Sequence, residues 1–343
     1  MTDAANSETG RTPLNGRNKG TADTMSSSHN NDNDSLLCTS KNGKCKAIVF
    51  AGPTASGKSA LALKLAERIN GVVVNADSMQ VYEDVPTLTA RPSEQETEKV
   101  EHKLYGFLGC HDKFSVLDWI DKAARVTGEI ASAGKVPVFA GGTGMYLQTL
   151  EEGISPLPDI PDEIRSKVRE RFNQIGYEAF LSEFVQKDPQ VRLTDPQRLI
   201  RAAEVFETTG KSIVYWQSLP FEKRVEADFF NILVSPPREV LYERCDARFD
   251  KMMENGAVEE VEALLLKNPP PDALVMKALG VREIQSWLNG ETTREEAVMR
   301  AQQMTRNYAK RQTTWFKHRF KADLTLFDGN FDTILTNVLR FLS

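Results

Sequence analysis

The sequence lacks most of what would mark an exported, membrane-bound or zinc-built protein. Its 343 residues include only four cysteines (Cys38, Cys45, Cys110, Cys245), with no C-x-x-C pair and no histidine at ligand spacing from any of them. That argues against a structural zinc site and for a reducing cytoplasm. No apolar run approaches the length needed to span a bilayer, so no membrane partner is expected. Positive charge is scarce too: 43 Lys and Arg against 48 Asp and Glu leave a net charge of -5. Any nucleic acid must therefore be met by a local basic patch. Large apolar residues are almost missing from residues 1–45, a stretch rich in Ser, Asn, Asp and Gly. Such a stretch buries too little apolar surface to offset ordering entropy, and a disordered tail is expected. It has no apolar h-region, and its acidic residues spoil an organelle-targeting reading.

The rest has the composition of an ordinary globular protein, the whole chain being 40% hydrophobic and 27% charged. Short apolar strands are expected at 46–52 (KAIVFAG), 71–77 (GVVVNAD), 135–144 (KVPVFAGGTG) and 229–237 (FFNILVSPP). Helical spacing follows the first in SALALKLAERI and recurs at 118–133. Strands that lack side alternation and alternate with helices imply a parallel sheet covered on both faces. The fold class is α/β, a P-loop NTPase-like parallel sheet core flanked by helices, made of 46–155 and 227–343 with the C-terminal part mostly helical. Residues 156–226 read as an inserted helical domain. There Ile164, Val168, Phe172 and Ile175 share a stripe. Asp195 is placed as N-cap with Pro196 at the first helical position, and Gly210 closes that helix.

The stretch carrying most chemistry is GPTASGKS (52–59), which matches G-x-x-x-x-G-K-S between a strand and a helix. Backbone N–H groups from Ala55 to Ser59 can converge on phosphate oxygens at the positive end of the helix. Gly57 permits close approach, Lys58 supplies a point charge, and the Ser59 hydroxyl is placed to ligate Mg²⁺. The loop implies a polyphosphate, ATP among the candidates, without saying which. Asp77 ends a neighbouring strand. By itself it reads equally as a catalytic or magnesium-binding carboxylate and as a helix cap.

GPTASGKS, NADSMQVY, TARPS (89–93), PVFAGGTGMYLQTL, DPQRLIRAAEV, ALGVREI (278–284) and KRQTTWF (310–316) occur in that order. Together, from about residue 46 to about 322, they resemble the tRNA dimethylallyltransferase family, the bacterial tRNA isopentenyltransferases. The resemblance implies transfer of a dimethylallyl group from dimethylallyl diphosphate to N6 of the adenine 3′-adjacent to the anticodon in tRNA, with release of diphosphate. It implies Mg²⁺ as cofactor, the tRNA anticodon stem-loop as partner, and a cytoplasmic monomer. Asp77 matches the family's catalytic aspartate, and a carboxylate can accept the proton that the attacking amine must lose. Gly52, Pro53, Thr54, Ala55, Ser56, Gly57, Lys58 and Ser59, with Arg248, match the diphosphate and nucleotide site.

For tRNA the resemblance carries over Asp77, Ser78, Met79 and Gln80, then Thr143 after the paired glycines and Arg165 in the insertion. It adds Gln197, Arg198, Leu199, Ile200 and Arg201, with Leu199, Ala202 and Phe206 on the core face. It continues through Lys277, Ala278, Leu279, Gly280, Val281 and Arg282, where Val281 replaces an aromatic common in the family. Last come Lys310, Arg311, Gln312, Thr313, Thr314, Trp315, Phe316 and Lys317. Residues 294–321 hold eight Lys/Arg and two acidic residues, a basic face on an acidic protein. Thr293 and Glu296 form a capping box there. An apolar stripe is expected at Ala297, Ala301, Met304, Tyr308 and Trp315, with Arg306, Lys310, Thr313 and Lys317 on a different face. Rival readings are a small-molecule kinase or NTPase, an adenylate isopentenyltransferase acting on free AMP, ADP or ATP, and a non-enzymatic RNA-binding nucleotide switch.

Overall fold

The run Ala47–Ala51 is apolar at every position because its two sides enter different cores. Ala47, Val49 and Ala51 join one buried cluster, whereas Ile48 and Phe50 join another on the opposite face of the sheet. The computed structural model describes residues 43–192 and 194–343. Residues 1–42, which hold most of the expected tail, and Leu193 lie outside the described residues. Strand β1 is Cys45–Ala51, so it opens one residue inside the expected tail.

Helix α1 (Lys58–Arg68) follows, then β2 (Gly71–Asn75), α2 (Glu94–Lys99), β3 (His102–Lys103), α3 (Val116–Ser132), β4 (Val136–Gly141) and α4 (Gly144–Glu152). Helices α5 (Asp162–Lys187), α6 (Pro196–Thr209) and α7 (Ile213–Ser218) lead to β5 (Ala227–Val234). The chain continues through α8 (Arg238–Glu254), α9 (Ala257–Leu266), a 3-10 turn (Leu274–Lys277), α10 (Val281–Leu288), α11 (Arg294–Arg319), β6 (Leu324–Leu326) and α12 (Phe331–Leu342). The sheet is parallel throughout, in the order β3-β2-β4-β1-β5-β6. Four strands were legible from apolar runs. The edge strands β3 and β6 have two and three residues, too short to show a period.

Helices α3 and α4 cover one face through Trp119, Ile120, Ala123, Leu147 and Leu150. Helices α1 and α12 cover the other through Leu65, Ile334 and Val338. Register then aligns the strand exits: Ala51 lies opposite Gly141, and Asn75 opposite Ala140. The loops after β1, β2 and β4 therefore leave the same carboxyl edge side by side, where α/β sheets bind ligands.

The stretch α5–α7 is helical, and its apolar residues form a cluster of their own around Val168, Phe180, Phe184, Leu199 and Val205. Ile164, Phe172 and Ile175 pack against it from one stripe. Helix α5 breaks at Gly176, whose φ of 75° suits glycine. Asp195 caps α6 through Arg198 N, Pro196 opens it, and Gly210 closes it in the left-handed conformation. An isolated bridge pairs Ile154 with Glu222 at the entry and exit of this stretch. Among the described residues no helix is long and apolar enough to cross a membrane.

Helix α11 begins with the Thr293–Glu296 capping box. Its buried face is Ala297, Ala301, Thr305, Ala309, Gln312 and Phe316. The expected stripe is thus corrected by part of a turn: Met304 is 41% exposed, and Tyr308 and Trp315 are only half-buried. Small residues win the inner face because Ala309 packs directly on Leu241 and Cys245 of α8. Arg306 is not free for phosphate either. It pairs with Asp246 at 2.5 Å.

Candidate active site

The loop of residues 52–57 turns sharply, with Ser56 N donating to Pro53 O at 3.2 Å. Gly52 has no room for a side chain, since a Cβ there would stand 2.5 Å from Val234 O. Ala55 takes a positive φ of 62° and packs its methyl toward Leu241, Cys245 and Ala309. Gly57, at φ 91°, caps α1, and a Cβ there would meet nothing within 4 Å. Open space thus lies over the end of α1, whose first N–H groups have no intrahelical acceptor. The Ser56 hydroxyl is buried without a hydrogen-bond partner. Ser59 is exposed in the first turn.

Two cations and a carboxylate meet here. Lys58 Nζ donates to Pro53 O at 3.3 Å. Burial lowers its pKa to about 8, against the raising effect of Asp77, with the Arg248 charge lowering it further. Arg248 reaches across from α8 to donate to the Thr54 hydroxyl, and burial lowers its pKa as well. The Asp77 charge also acts on Tyr105, Tyr146 and Tyr308, whose hydroxyls are pushed up first by burial and then by that carboxylate.

Asp77 stands two residues past β2, on a turn built by Asn75. The Asn75 amide is fully buried. It accepts Asp77 N at 2.8 Å and donates to Asp77 O and Leu104 O, both at 2.9 Å. Trp119 Nε1 donates to Asn75 O at 3.0 Å and ties the turn to α3. Asp77 Oδ1 accepts Met79 N at 2.9 Å, an Asx-type turn, and no helix starts there. The helix-cap reading is therefore set aside. Thr143, the N-cap residue of α4, accepts Ser78 N at 2.9 Å and donates to Ser78 Oγ at 3.2 Å. It joins the β4 exit to the loop carrying Asp77. Gln80 uses its amide on Thr89 O and Ala90 O, and Met79 packs half-buried at the margin of a core.

The residues expected to face RNA divide sharply. Lys310, Arg311, Thr314 and Lys317 on α11 are exposed, as are Gln197, Arg198, Lys277 and Arg282. Ile200, Leu279 and Thr313 are half-buried. Arg165 donates to Ile160 O, and Arg201 pairs with Glu204. Leu199 is 0% exposed, on the core face expected for it, and Ala278, Val281, Gln312 and Phe316 are buried too, being 3%, 0%, 6% and 2% exposed. Their side chains are packed inside the protein and are not presented at its surface. Gly280 likewise lies buried against Phe249 and Leu88. Trp315 lies half-buried with its ring pressed on Gly144, where a Cβ would come within 2.5 Å of it. Asn75 was missed by sequence reading, although a polar residue inside an apolar strand is a usable signal. The bracing role of Gln312 left none.

Known proteins resemble this one across most of the chain. The IPP transferase family model matches residues 80–319, and an isopentenyl transferase model matches 45–105. A tRNA dimethylallyltransferase of Paramagnetospirillum magneticum is 43% identical over 296 residues, 85% of this chain and 94% of its own. A Bacillus halodurans tRNA isopentenylpyrophosphate transferase superposes with a TM-score of 0.62 at 32% identity, over 87% of this chain and 95% of that one. A eukaryotic dimethylallyltransferase acting on tRNA reaches a TM-score of 0.72 at 27% identity, over 86% of this chain and 77% of that one. With a family model matched over two thirds of its length and a relative 43% identical over 85% of it, the chain belongs to the IPP transferase family.

Proposed function

We propose that this protein transfers a dimethylallyl group from dimethylallyl diphosphate to N6 of the adenine 3′-adjacent to the anticodon in tRNA, releasing diphosphate. The observation that carries the reading is the grouping of Lys58, Arg248 and Asp77 at one sheet edge. The two cations, with the N-terminal amides of α1, neutralise the negative charge of the departing diphosphate. The unpartnered Ser56 hydroxyl gains a phosphate oxygen as its partner. The bond from the allylic carbon to oxygen breaks, and its electron pair leaves with diphosphate. The N6 lone pair forms the new carbon–nitrogen bond, and Asp77 accepts the proton that N6 loses.

Mg²⁺ fits the donor set. Ser59 supplies a hard oxygen, and among the described residues no three-ligand His, Cys, Asp or Glu cage competes. This is the pattern of an ion held largely by phosphate oxygens and water. When bound, it would add charge neutralisation on the diphosphate. Lys310, Arg311 and Lys317 on the exposed face of α11, with Arg198 and Lys277, contact the tRNA backbone and fix its position. The target adenine leaves its stack to reach Asp77. The reading includes action as a monomer in the cytoplasm.

A free-nucleotide acceptor is the second reading. The helical stretch α5–α7 and the exposed basic face of α11 would serve no purpose there, and they disfavour it. Incubation with labelled dimethylallyl diphosphate and unmodified tRNA, AMP, ADP or no acceptor, beside an ATPase measurement, separates the cases. Label in tRNA is expected. ATP hydrolysis without prenyl transfer would sink the proposal.

A further inference from the structure

Gln312 and Thr54 lie 258 residues apart in the chain, yet Gln312 Oε1 accepts the Thr54 N–H at 2.8 Å. The other end of the same amide, Nε2, donates to Gly142 O at 2.8 Å. A glutamine buried on a helix face without purpose would leave an end unmet, and here both ends are used. The fit is close, since a Cβ at Gly142 would stand 2.3 Å from Nε2.

What each end holds matters for the reaction. Thr54 belongs to the phosphate loop, and its hydroxyl receives Arg248, so it is clamped from α11 and α8 together. Gly142 adjoins Thr143, which holds Ser78 beside Asp77. The leaving group and the proton acceptor thus sit on separate loops, and Gln312 bonds directly to the phosphate loop and to the loop that braces Asp77. Misplacement by about 1 Å can cost a reaction on the order of 100-fold.

We infer that Gln312 is a positioning residue that sets the spacing between the diphosphate loop and the loops carrying Thr143 and Asp77. This rests on the transfer reaction proposed above.

Gln312→Met keeps the length and removes both hydrogen bonds. Calorimetry with inorganic diphosphate should show binding weakened about 10-fold, as expected for losing two buried bonds. The transfer kcat should fall while unmodified-tRNA affinity stays within about 2-fold. Gln312→Glu supplies a distinguishing readout. Its carboxyl, when protonated, can accept from Thr54 N–H and donate to Gly142 O, whereas the ionised form repels that carbonyl. Its activity relative to wild type should therefore rise as pH falls from about 8 to about 6. Unchanged diphosphate affinity and kcat in Gln312→Met would overturn the inference. So would a parallel fall of Tm, diphosphate affinity and tRNA affinity with no recovery of Gln312→Glu at low pH, which would make Gln312 a packing residue. Absence of prenyl transfer by the wild type would defeat the reaction reading instead, and the diphosphate-binding arm would still decide what Gln312 does.

Discussion

The sheet-edge loops and the helical stretch α5–α7 both carry charge and treat most of it differently, the buried Glu204 with its partners Arg169 and Arg201 being the exception in the helical stretch. At the sheet edge, Lys58 and Arg248 are withdrawn from water, and burial is the largest influence on both. Uncharged amides and hydroxyls of Asn75, Thr143 and Gln312 hold the surrounding backbone. In the helical stretch, Arg171 pairs with Glu183 and Lys187 with Glu207 on the surface, around an apolar cluster that does the holding. Exposed pairs of that kind contribute about 0–1 kcal/mol each, and salt screens them. The contrast fits the work proposed for each region. A group that must meet developing charge gains from a low-dielectric, preset surrounding. A surface proposed to meet the backbone of RNA needs only reachable charge on a firm support.

That contrast can be broken at its apolar end first. Phe184→Ala removes a ring that is 3% exposed and should destabilise the α5–α7 cluster by about 3–5 kcal/mol, read by urea denaturation. tRNA binding should fall with it, while inorganic diphosphate binds as before. Loss of diphosphate binding as well would show that the two regions are not energetically separate. Asp77→Ala tests the other end. The transfer rate should drop by at least ~100-fold with tRNA affinity largely intact, measured by single turnover and filter binding. A collapse of tRNA affinity would make Asp77 structural.

The smallest effect sharpens the electrostatic half. Lys58 titrates near 8 in the free protein, and a bound anion favours its protonated form. Diphosphate affinity should therefore be full below that pH and fall as pH rises through it, by up to ~10-fold per unit until the bound-state pKa is reached. Lys58→Arg keeps its charge, so its affinity should lack this component of the fall. Identical pH profiles for both proteins would remove Lys58 from the diphosphate site.

Sequence reading succeeded where the physics is local. The Thr293–Glu296 box and the Asp195–Pro196 start join residues three or fewer positions apart, so the pattern and the structure are nearly the same thing. The phosphate loop was legible for that reason, as were the four long strands. It failed where a face had to be chosen. On α11 the apolar Met304 points outward and the polar Gln312 inward, because the neighbouring loops present a donor and an acceptor that only a polar side chain can satisfy. Val281 and Phe316 entered the expected tRNA set as members of contiguous family motifs, and helical geometry sends neighbours in sequence to different sides, so both are buried.

The sequence by itself determined the α/β class, the phosphate loop, the helix caps and a family likeness, all written in short contiguous stretches. Only the tertiary structure decided that Thr54 meets Arg248 and Gln312, 194 and 258 residues away, and that Asn75 shapes the turn under Asp77. A side chain's partner across such distances is set by sheet register and helix packing, which no local pattern records.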